Sequence, residues 1–145
     1  MIKKIRLSIV LFSLLFISCN GYSLDSVPYV ISGEFVMNDA SKDYSICGVD
    51  IYLFNKSQKE ISSVNIVFFL FDKDGEPAVE CQNKITAQVE QTVSAEEDCS
   101  FCLSLDHFMN SVPEEKLLVD YLYLSKIEYE DGSCWEDPYG LTVFK

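Results

Sequence analysis

Short apolar runs separated by clusters of turn residues make up most of the chain after residue 28, and this pattern constrains the fold more than any other feature. Ile46–Phe54 and Ile85–Val93 alternate apolar and polar residues, and such a period of two is typical of a strand with one buried face. Val64–Phe71 is almost entirely apolar, which predicts a central strand buried on both faces. The positions predicted to face inward in the two alternating runs are Cys47, Val49, Ile51, Leu53, Ile85, Ala87, Val89 and Val93.

The rest of the chain completes an all-β prediction. The remaining predicted strands are Tyr29–Val36, a short edge strand at Pro77–Cys81, Cys99–Leu105, Asp120–Tyr129 and Cys134–Glu136. A short helical turn is expected within Asp106–Glu115, near His107–Asn110. About seven short strands separated by turns are typical of an antiparallel immunoglobulin-like sandwich. We therefore expect one such domain over residues 27–145, with a small open barrel as the alternative.

The first 18 residues are organised like an export signal. Lys3, Lys4 and Arg6 form a basic segment, and the apolar run Leu7–Ile17 follows it. A membrane-spanning helix needs about 20 apolar residues. This shorter run therefore predicts a signal peptide over residues 1–18 rather than a transmembrane helix.

The end of that run, Phe16-Ile17-Ser18-Cys19, resembles the lipobox of bacterial lipoproteins, with Phe where many members have Leu. The resemblance implies cleavage before Cys19, attachment of diacylglycerol to its thiol, and often acylation of the new amino group. Several acyl chains hold a protein firmly on a bilayer. The resemblance thus implies a lipid-anchored protein of the bacterial cell envelope, facing the periplasm or the cell surface, with residues 19–26 as a lipidated tether. Ordinary secretion, with cleavage a few residues later, is the alternative.

A second resemblance covers the stretch from Asn55 to Leu105. Phe68-Phe69-Leu70-Phe71-Asp72 is similar to the F-x-L-Y-D signature of the FxLYD domain, with Phe71 in the place of the tyrosine. Asn55-Lys56-Ser57 precedes it, as an N-x-S turn does in that family, whereas Ser94-Ala95-Glu96-Glu97 stands where the family usually has a Pro-Gly turn. The resemblance implies an immunoglobulin-type sandwich in an exported bacterial protein, non-catalytic and with no functional residue to transfer.

The charge of the chain excludes one class of partner. The whole sequence carries a net charge of −12, and the part after residue 18 has eight lysines and no arginine against 23 acidic residues, a net charge of −15. Because nucleic acids are usually bound through Lys and Arg, no nucleic-acid partner is expected. Acidic charge of this kind keeps a domain soluble, and a basic partner or a cation is the alternative reason for it.

The chain has six cysteines, so an odd number remains for pairing if Cys19 carries lipid. We expect Cys47 and Cys99 to form a disulfide, because both lie in register with inward-facing residues. Cys99 and Cys102 form a C-x-x-C, but strand alternation places them on opposite faces, which argues against a redox site. The chain has a single histidine and no second C-x-x-C, so no zinc site is expected. The alternative for every cysteine after Cys19 is a buried free thiol that packs as a small apolar residue.

The sequence contains no motif that assembles a catalytic centre. His107 is the single histidine, and Ser104, Asp106 and Ser111 lie near it in the chain. No recognisable frame arranges them as nucleophile, base and orienting acid. No catalytic residue is therefore assigned.

Acidic segments offer two places to look for a cation. Asp72–Glu76 (DKDGE) is a fragment of an EF-hand-like pattern without the full ligand set, so a hairpin turn and no metal site are expected. The alternative is a weak calcium site shared with the acidic turn at 96–98, and the densest acidic group is Glu128, Glu130, Asp131, Glu136 and Asp137. Nearby Trp135 is expected to cover one end of the core, with a ligand-binding surface aromatic as the alternative.

Together these features predict a membrane-anchored envelope lipoprotein whose domain is a non-catalytic binding or scaffolding module that needs no cofactor. Exposed strand edges and acidic loops would contact an envelope or host protein. The alternatives are a small exported enzyme with an unrecognised acidic site and a purely structural accessory subunit.

Overall fold

The structure, a computed structural model, describes residues 27–143. The predicted signal peptide at 1–18, Cys19 and the predicted tether at 19–26 lie outside the described residues, as do the last two residues. No helix in the described part of the chain is long and apolar enough to cross a membrane.

Seven antiparallel strands form two sheets, which confirms the all-β sandwich prediction. Their bounds are β1 Tyr29–Met37, β2 Cys47–Asn55, β3 Ile61–Phe71, β4 Lys84–Val93, β5 Asp98–Ser104, β6 Leu118–Tyr129 and β7 Cys134–Glu136. One sheet has three strands in the order β1-β2-β5, and the other has four in the order β4-β3-β6-β7.

The core lies between the two sheets and is built from the alternating positions. In β2 the four inward positions from Cys47 to Leu53 are at most 1% exposed, and in β4 Ile85 and Val93 are buried as predicted. β3 pairs with both β4 and β6, so it is the central strand of its sheet. Its inner face contributes Ile66 and Phe68 to the core, while Val67 on the outer face is also buried. The predicted central position of the strand is confirmed, but burial of its outer face holds only at Val67, because Asn65, Phe69 and Phe71 are partly exposed.

One sequence prediction about local structure is wrong, and a second is met only by a single hydrogen-bonded turn. Pro77–Cys81 is not a strand, because it makes only single bridges, from Pro77 to Phe71 and from Cys81 to Met109. These partners belong to different segments, so no continuous ladder forms. The helical turn expected near His107–Asn110 does not become a helix. The N–H groups of Phe108 and Met109 both donate to the Leu105 carbonyl, which closes a single turn.

The loops gather at two opposite ends of the sandwich. We call one the Asn55 end, formed by the loops at 56–60, 94–97 and 130–133, and the other the Asp106 end, formed by the loops at 38–46, 72–83 and 105–117. β1 begins at the Asn55 end, because Tyr29 pairs with Asn55 at the end of β2. The path of the chain therefore enters the described domain at the Asn55 end.

Asn55 ties the loops of its end together. Its buried side-chain amide donates to the carbonyls of Lys59, Val93 and Ser94 at 2.8–3.1 Å, and its Oδ1 accepts from the Ser57 backbone and hydroxyl. One side chain thus joins the β2–β3 and β4–β5 connections and satisfies hydrogen-bonding groups of both.

Candidate functional site

A groove of about 710 Å³ runs over the outer face of the three-stranded sheet. Its floor consists of two rows of side chains that the strand register places side by side. One row is Ser32, Tyr52 and Ser100, and the next is Glu34, Asp50 and Cys102. Lys42 and Asp43, from the loop between β1 and β2, form a wall.

Tyr52 is the central side chain of the first row. It pairs with Ser32 of β1 on one side and with Ser100 of β5 on the other. Both serines are small, so they leave the tyrosine 39% exposed on a sheet face. The result is an aromatic ring that stands in a polar groove with hydroxyl groups beside it.

The second row contains an ion pair and a thiol. Lys42 Nζ donates to both oxygens of Asp50, at 3.0 and 2.8 Å, and this hydrogen bond raises the pKa of Lys42. Burial and the adjacent Asp50 carboxylate raise the pKa of the Cys102 thiol to about 11. Because the thiolate is the reactive form, Cys102 stays a protonated, weakly nucleophilic thiol at neutral pH.

The loop at 38–46 is held in place by a residue that is about 60 positions away in the sequence. The Asp106 carboxylate accepts hydrogen bonds from the backbone N–H groups of Ser45 and Ile46, at 2.7 and 2.8 Å. These bonds hold the pKa of Asp106 below its usual value. The Tyr44 ring lies over Gly48, where an added β-carbon would be 3.0 Å from it. Asp106 and Tyr44 together hold the wall of the groove against the sheet.

The Asp72–Glu76 segment is a turn, as expected. One oxygen of Asp72 accepts from the N–H groups of Asp74 and Glu76, both at 2.9 Å, and Lys73 pairs with Glu115. A smaller cavity of about 190 Å³ lies beside it, lined mainly by acidic side chains. The acidic turn at 96–98 is at the other end of the 11-residue strand β3, about 35 Å away. The shared calcium site between the two segments is therefore wrong.

The acidic residues near the C-terminus are bound separately rather than gathered. Glu128 pairs with Lys126 and accepts from Ser63. Asp131 pairs with Lys59, whose hydrogen bond lowers the pKa of Asp131. Asp137 instead binds the turn that follows it. Across residues 27–143 no group of three or more His, Cys, Asp or Glu side chains is placed to hold a metal ion.

Five cysteines lie in the described domain, and all are free thiols. Cys99 pairs with Leu53, six positions along β2 from Cys47, which corresponds to about 20 Å. A disulfide needs α-carbons within about 7 Å, so the expected Cys47–Cys99 bridge is wrong. The two residues share a face of the sheet but lie at opposite ends of it. The placement of Cys99 and Cys102 on opposite faces is confirmed, because Cys99 packs against the core and Cys102 lines the groove.

His107 lies exposed on the turn after β5. Its neighbour Asp106 already binds the 38–46 loop, and the Ser104 hydroxyl accepts from the Asp106 N–H. No hydrogen bond within the described domain joins His107 to a serine or a carboxylate. The structure thus does not bring these sequence neighbours together as a catalytic group.

Trp135 packs against the edge of the core, as predicted. Its ring lies edge-on to Tyr29, with centroids 5.6 Å apart. The Tyr29 hydroxyl accepts from the Leu124 N–H at 2.9 Å, so this pair also connects β1 to β6 of the other sheet.

The groove was not predicted from the sequence. The alternation of β2 indicates that Tyr52 and Asp50 face outward. This is the only local sequence signal for the groove. The alignment of Ser32, Tyr52 and Ser100 depends on strand register, and the approach of Lys42 depends on a hydrogen bond between residues 61 positions apart.

Comparisons with protein-family models, curated proteins and solved structures gave no match to this chain.

Proposed function

We propose that the protein is a lipid-anchored bacterial envelope lipoprotein whose sandwich domain is a non-catalytic binding or scaffolding module. The observation that carries this proposal is the N-terminal segment, in which a basic start and a short apolar run end at Ser18-Cys19. A segment of this organisation predicts export, and a cysteine at its end supplies the thiol for a lipid thioether.

The point where the chain enters the domain suggests how such an anchor would orient it. Seven residues separate Cys19 from Val27, which can span at most about 25 Å. Because β1 begins at the Asn55 end, that end would face the bilayer and the Asp106 end would face away. Loops with carboxylates at the Asn55 end, such as 94–97 and 130–133, would be repelled by anionic headgroups. The domain would therefore stand off the membrane rather than lie on it.

Two kinds of exposed surface support a binding role: the edges of the sheets and the groove on the three-stranded sheet. β4 and β5 are edge strands of the two sheets, and edge strands carry backbone groups that pair with another chain. The groove on the outer face of the three-stranded sheet adds a concave surface with an exposed aromatic ring. Concave sites with a few placed polar groups are typical of ligand binding.

Mass spectrometry of the mature protein from a bacterial host tests the anchor. The expected result is a chain that begins at Cys19 and carries the mass of a diacylglycerol group, found in the membrane fraction. Cys19→Ala should prevent lipidation and leave the protein in unprocessed form, while Cys134→Ala, at an exposed thiol of the described domain, should leave lipidation unchanged. A mature chain that begins after Cys19, or an unmodified Cys19, would overturn the proposal.

A further inference from the structure

We infer that the groove over the three-stranded sheet binds an arginine side chain presented by an extended basic segment of a partner protein. The inference deepens the proposed binding function and rests on it only for the presence of a partner. The exposed ring of Tyr52, the carboxylates beside it and the charge of the whole chain support this binding.

Tyr52 supplies a surface on which a guanidinium group stacks. The side chain stands between two serines and is 39% exposed, so part of it is open to an incoming planar group. Cations bind the faces of aromatic rings, and the flat guanidinium of arginine does so better than the compact ammonium of lysine. The chemistry of the first row therefore favours arginine.

Asp50 supplies the charge partner. It is two positions before Tyr52 on the same face of β2, about 7 Å away along the strand. Its two oxygens accept from the amine of Lys42, and the Cys102 thiol beside it also hydrogen-bonds to this carboxylate. A guanidinium stacked on Tyr52 can reach this carboxylate with two parallel N–H groups, which is the geometry that arginine and carboxylates prefer.

The balance of charge around the groove favours a cationic occupant. Glu34, Asp43 and Asp50 line it, and two lysines face these three carboxylates: Lys42 pairs with Asp50, and Lys116 pairs with Glu34 from outside the groove. The chain after residue 18 carries a net charge of −15 and has no arginine of its own. Among the lysines of the described domain, five already form ion pairs with carboxylates. The arginine must therefore come from another molecule.

Calorimetric titration of the full mature chain, in the form in which it is purified, tests the inference. The probe is the blocked peptide Gly-Ser-Arg-Ser-Arg-Ser-Gly, with a lysine version, a glutamate version and a neutral oligosaccharide as alternative occupants. The arginine peptide should bind more tightly than the lysine peptide, and its affinity should fall as salt is added. Absence of binding by the arginine peptide, equal binding of the lysine peptide, or preference for the oligosaccharide would each overturn the inference.

Variants of the groove separate a stacked arginine from general attraction to an acidic protein. Tyr52→Ser should weaken binding about five- to tenfold, whereas Tyr52→Phe, which keeps the ring, should preserve it. Asp50→Asn should weaken binding, and Lys42→Met should strengthen it because the carboxylate is released. Tyr139→Ser is the matched control, since Tyr139 is exposed but lies outside the groove. If Tyr52→Ser and Tyr139→Ser bind the peptide equally, the groove is not the site.

The two proposals fail separately. Loss of the lipid anchor would change the mass and location of the protein but not the affinity of the groove for the peptide. Conversely, a fully lipidated protein that ignores the arginine peptide would retain the envelope assignment and reject the arginine site.

Discussion

Asp137 is a charged side chain that the domain buries almost completely, at 6% exposure. Its carboxylate accepts hydrogen bonds from the N–H groups of Leu141 and Thr142, both at 2.9 Å, and from the Thr142 hydroxyl. Burial by itself would raise the pKa of Asp137, but these hydrogen bonds outweigh it and hold the pKa below its usual value. The ionised form is therefore the one that stabilises the turn after β7.

The depressed pKa predicts how stability depends on pH. A carboxyl group whose pKa is lower in the folded state stabilises the fold above its unfolded pKa and loses that contribution as the pH falls through the folded pKa. We expect Asp137→Asn to lower the free energy of unfolding by about 1–3 kcal/mol at pH 7, and the difference from the wild type to shrink below pH 3.8. Urea unfolding at several pH values measures this. Asp43→Asn, at an exposed position, is the control, and a difference that grows toward acid pH would contradict the assignment.

At the scale of elements, the close approach of β2 to β5 and to the 38–46 loop depends on Gly48. A β-carbon there would lie 2.8 Å from the Cys102 sulfur, 2.9 Å from the Leu103 carbonyl oxygen and 3.0 Å from the Tyr44 ring. One of these neighbours is backbone, which cannot rotate away. Gly33 differs, because its nearest neighbours are the ends of side chains such as Leu122.

Gly48→Ala should therefore destabilise the domain by about 1–3 kcal/mol, as overpacking usually does. It should also displace Tyr44 and with it the wall of the groove. Gly33→Ala is the matched comparison and should cost less, since a flexible side chain can move aside. Chemical denaturation of both variants gives the order, and an equal or larger loss for Gly33→Ala would show that the backbone contact at Gly48 is not limiting.

The same elements show what a sequence can predict and what it cannot. Alternation is local, so the inward faces of β2 and β4 and the central position of β3 follow from the residues themselves. Register is not local: Cys47 and Cys99 face the same way, yet the pairing of Cys99 with Leu53 separates them along the sheet. The groove needs three strands in register and a loop held by Asp106, and no stretch of sequence by itself encodes that arrangement.

Bulges in β6 are a further feature that alternation could not indicate. Its pairing with β3 shifts between Asn65 and Ile66 and again between Val67 and Phe69. Near the second shift Tyr121 has a φ of 50°, a conformation that residues with a side chain rarely adopt, and its ring lies edge-on to Phe69. The contact between the rings of Phe69 on β3 and Tyr121 on β6 helps to offset the free-energy cost of the unusual φ at Tyr121. No local sequence pattern would have predicted this conformation.

At the scale of the whole molecule, acidic residues far outnumber the basic residues that could pair with them, 23 against 11. The ion pairs within residues 27–143 involve five lysines, and each pair is partly exposed to solvent. Exposed pairs of this kind contribute little to stability. The many remaining carboxylates repel one another, and self-repulsion of a highly charged chain destabilises its compact state.

Salt should consequently stabilise this domain at neutral pH. Raising sodium chloride from about 0.01 M to about 0.3 M shortens the distance over which charges interact to a few ångströms, and we expect the free energy of unfolding to rise on the order of 1 kcal/mol. The triple variant Glu96→Gln, Glu97→Gln, Asp98→Asn removes three charges from the Asn55 end, so its stability at low salt should be higher and its salt dependence smaller.

Urea unfolding at each salt concentration measures both effects. Potassium chloride should give the same result as sodium chloride, because screening depends on ionic strength. A fall in stability with salt would mean that the few ion pairs outweigh the repulsion among the other carboxylates.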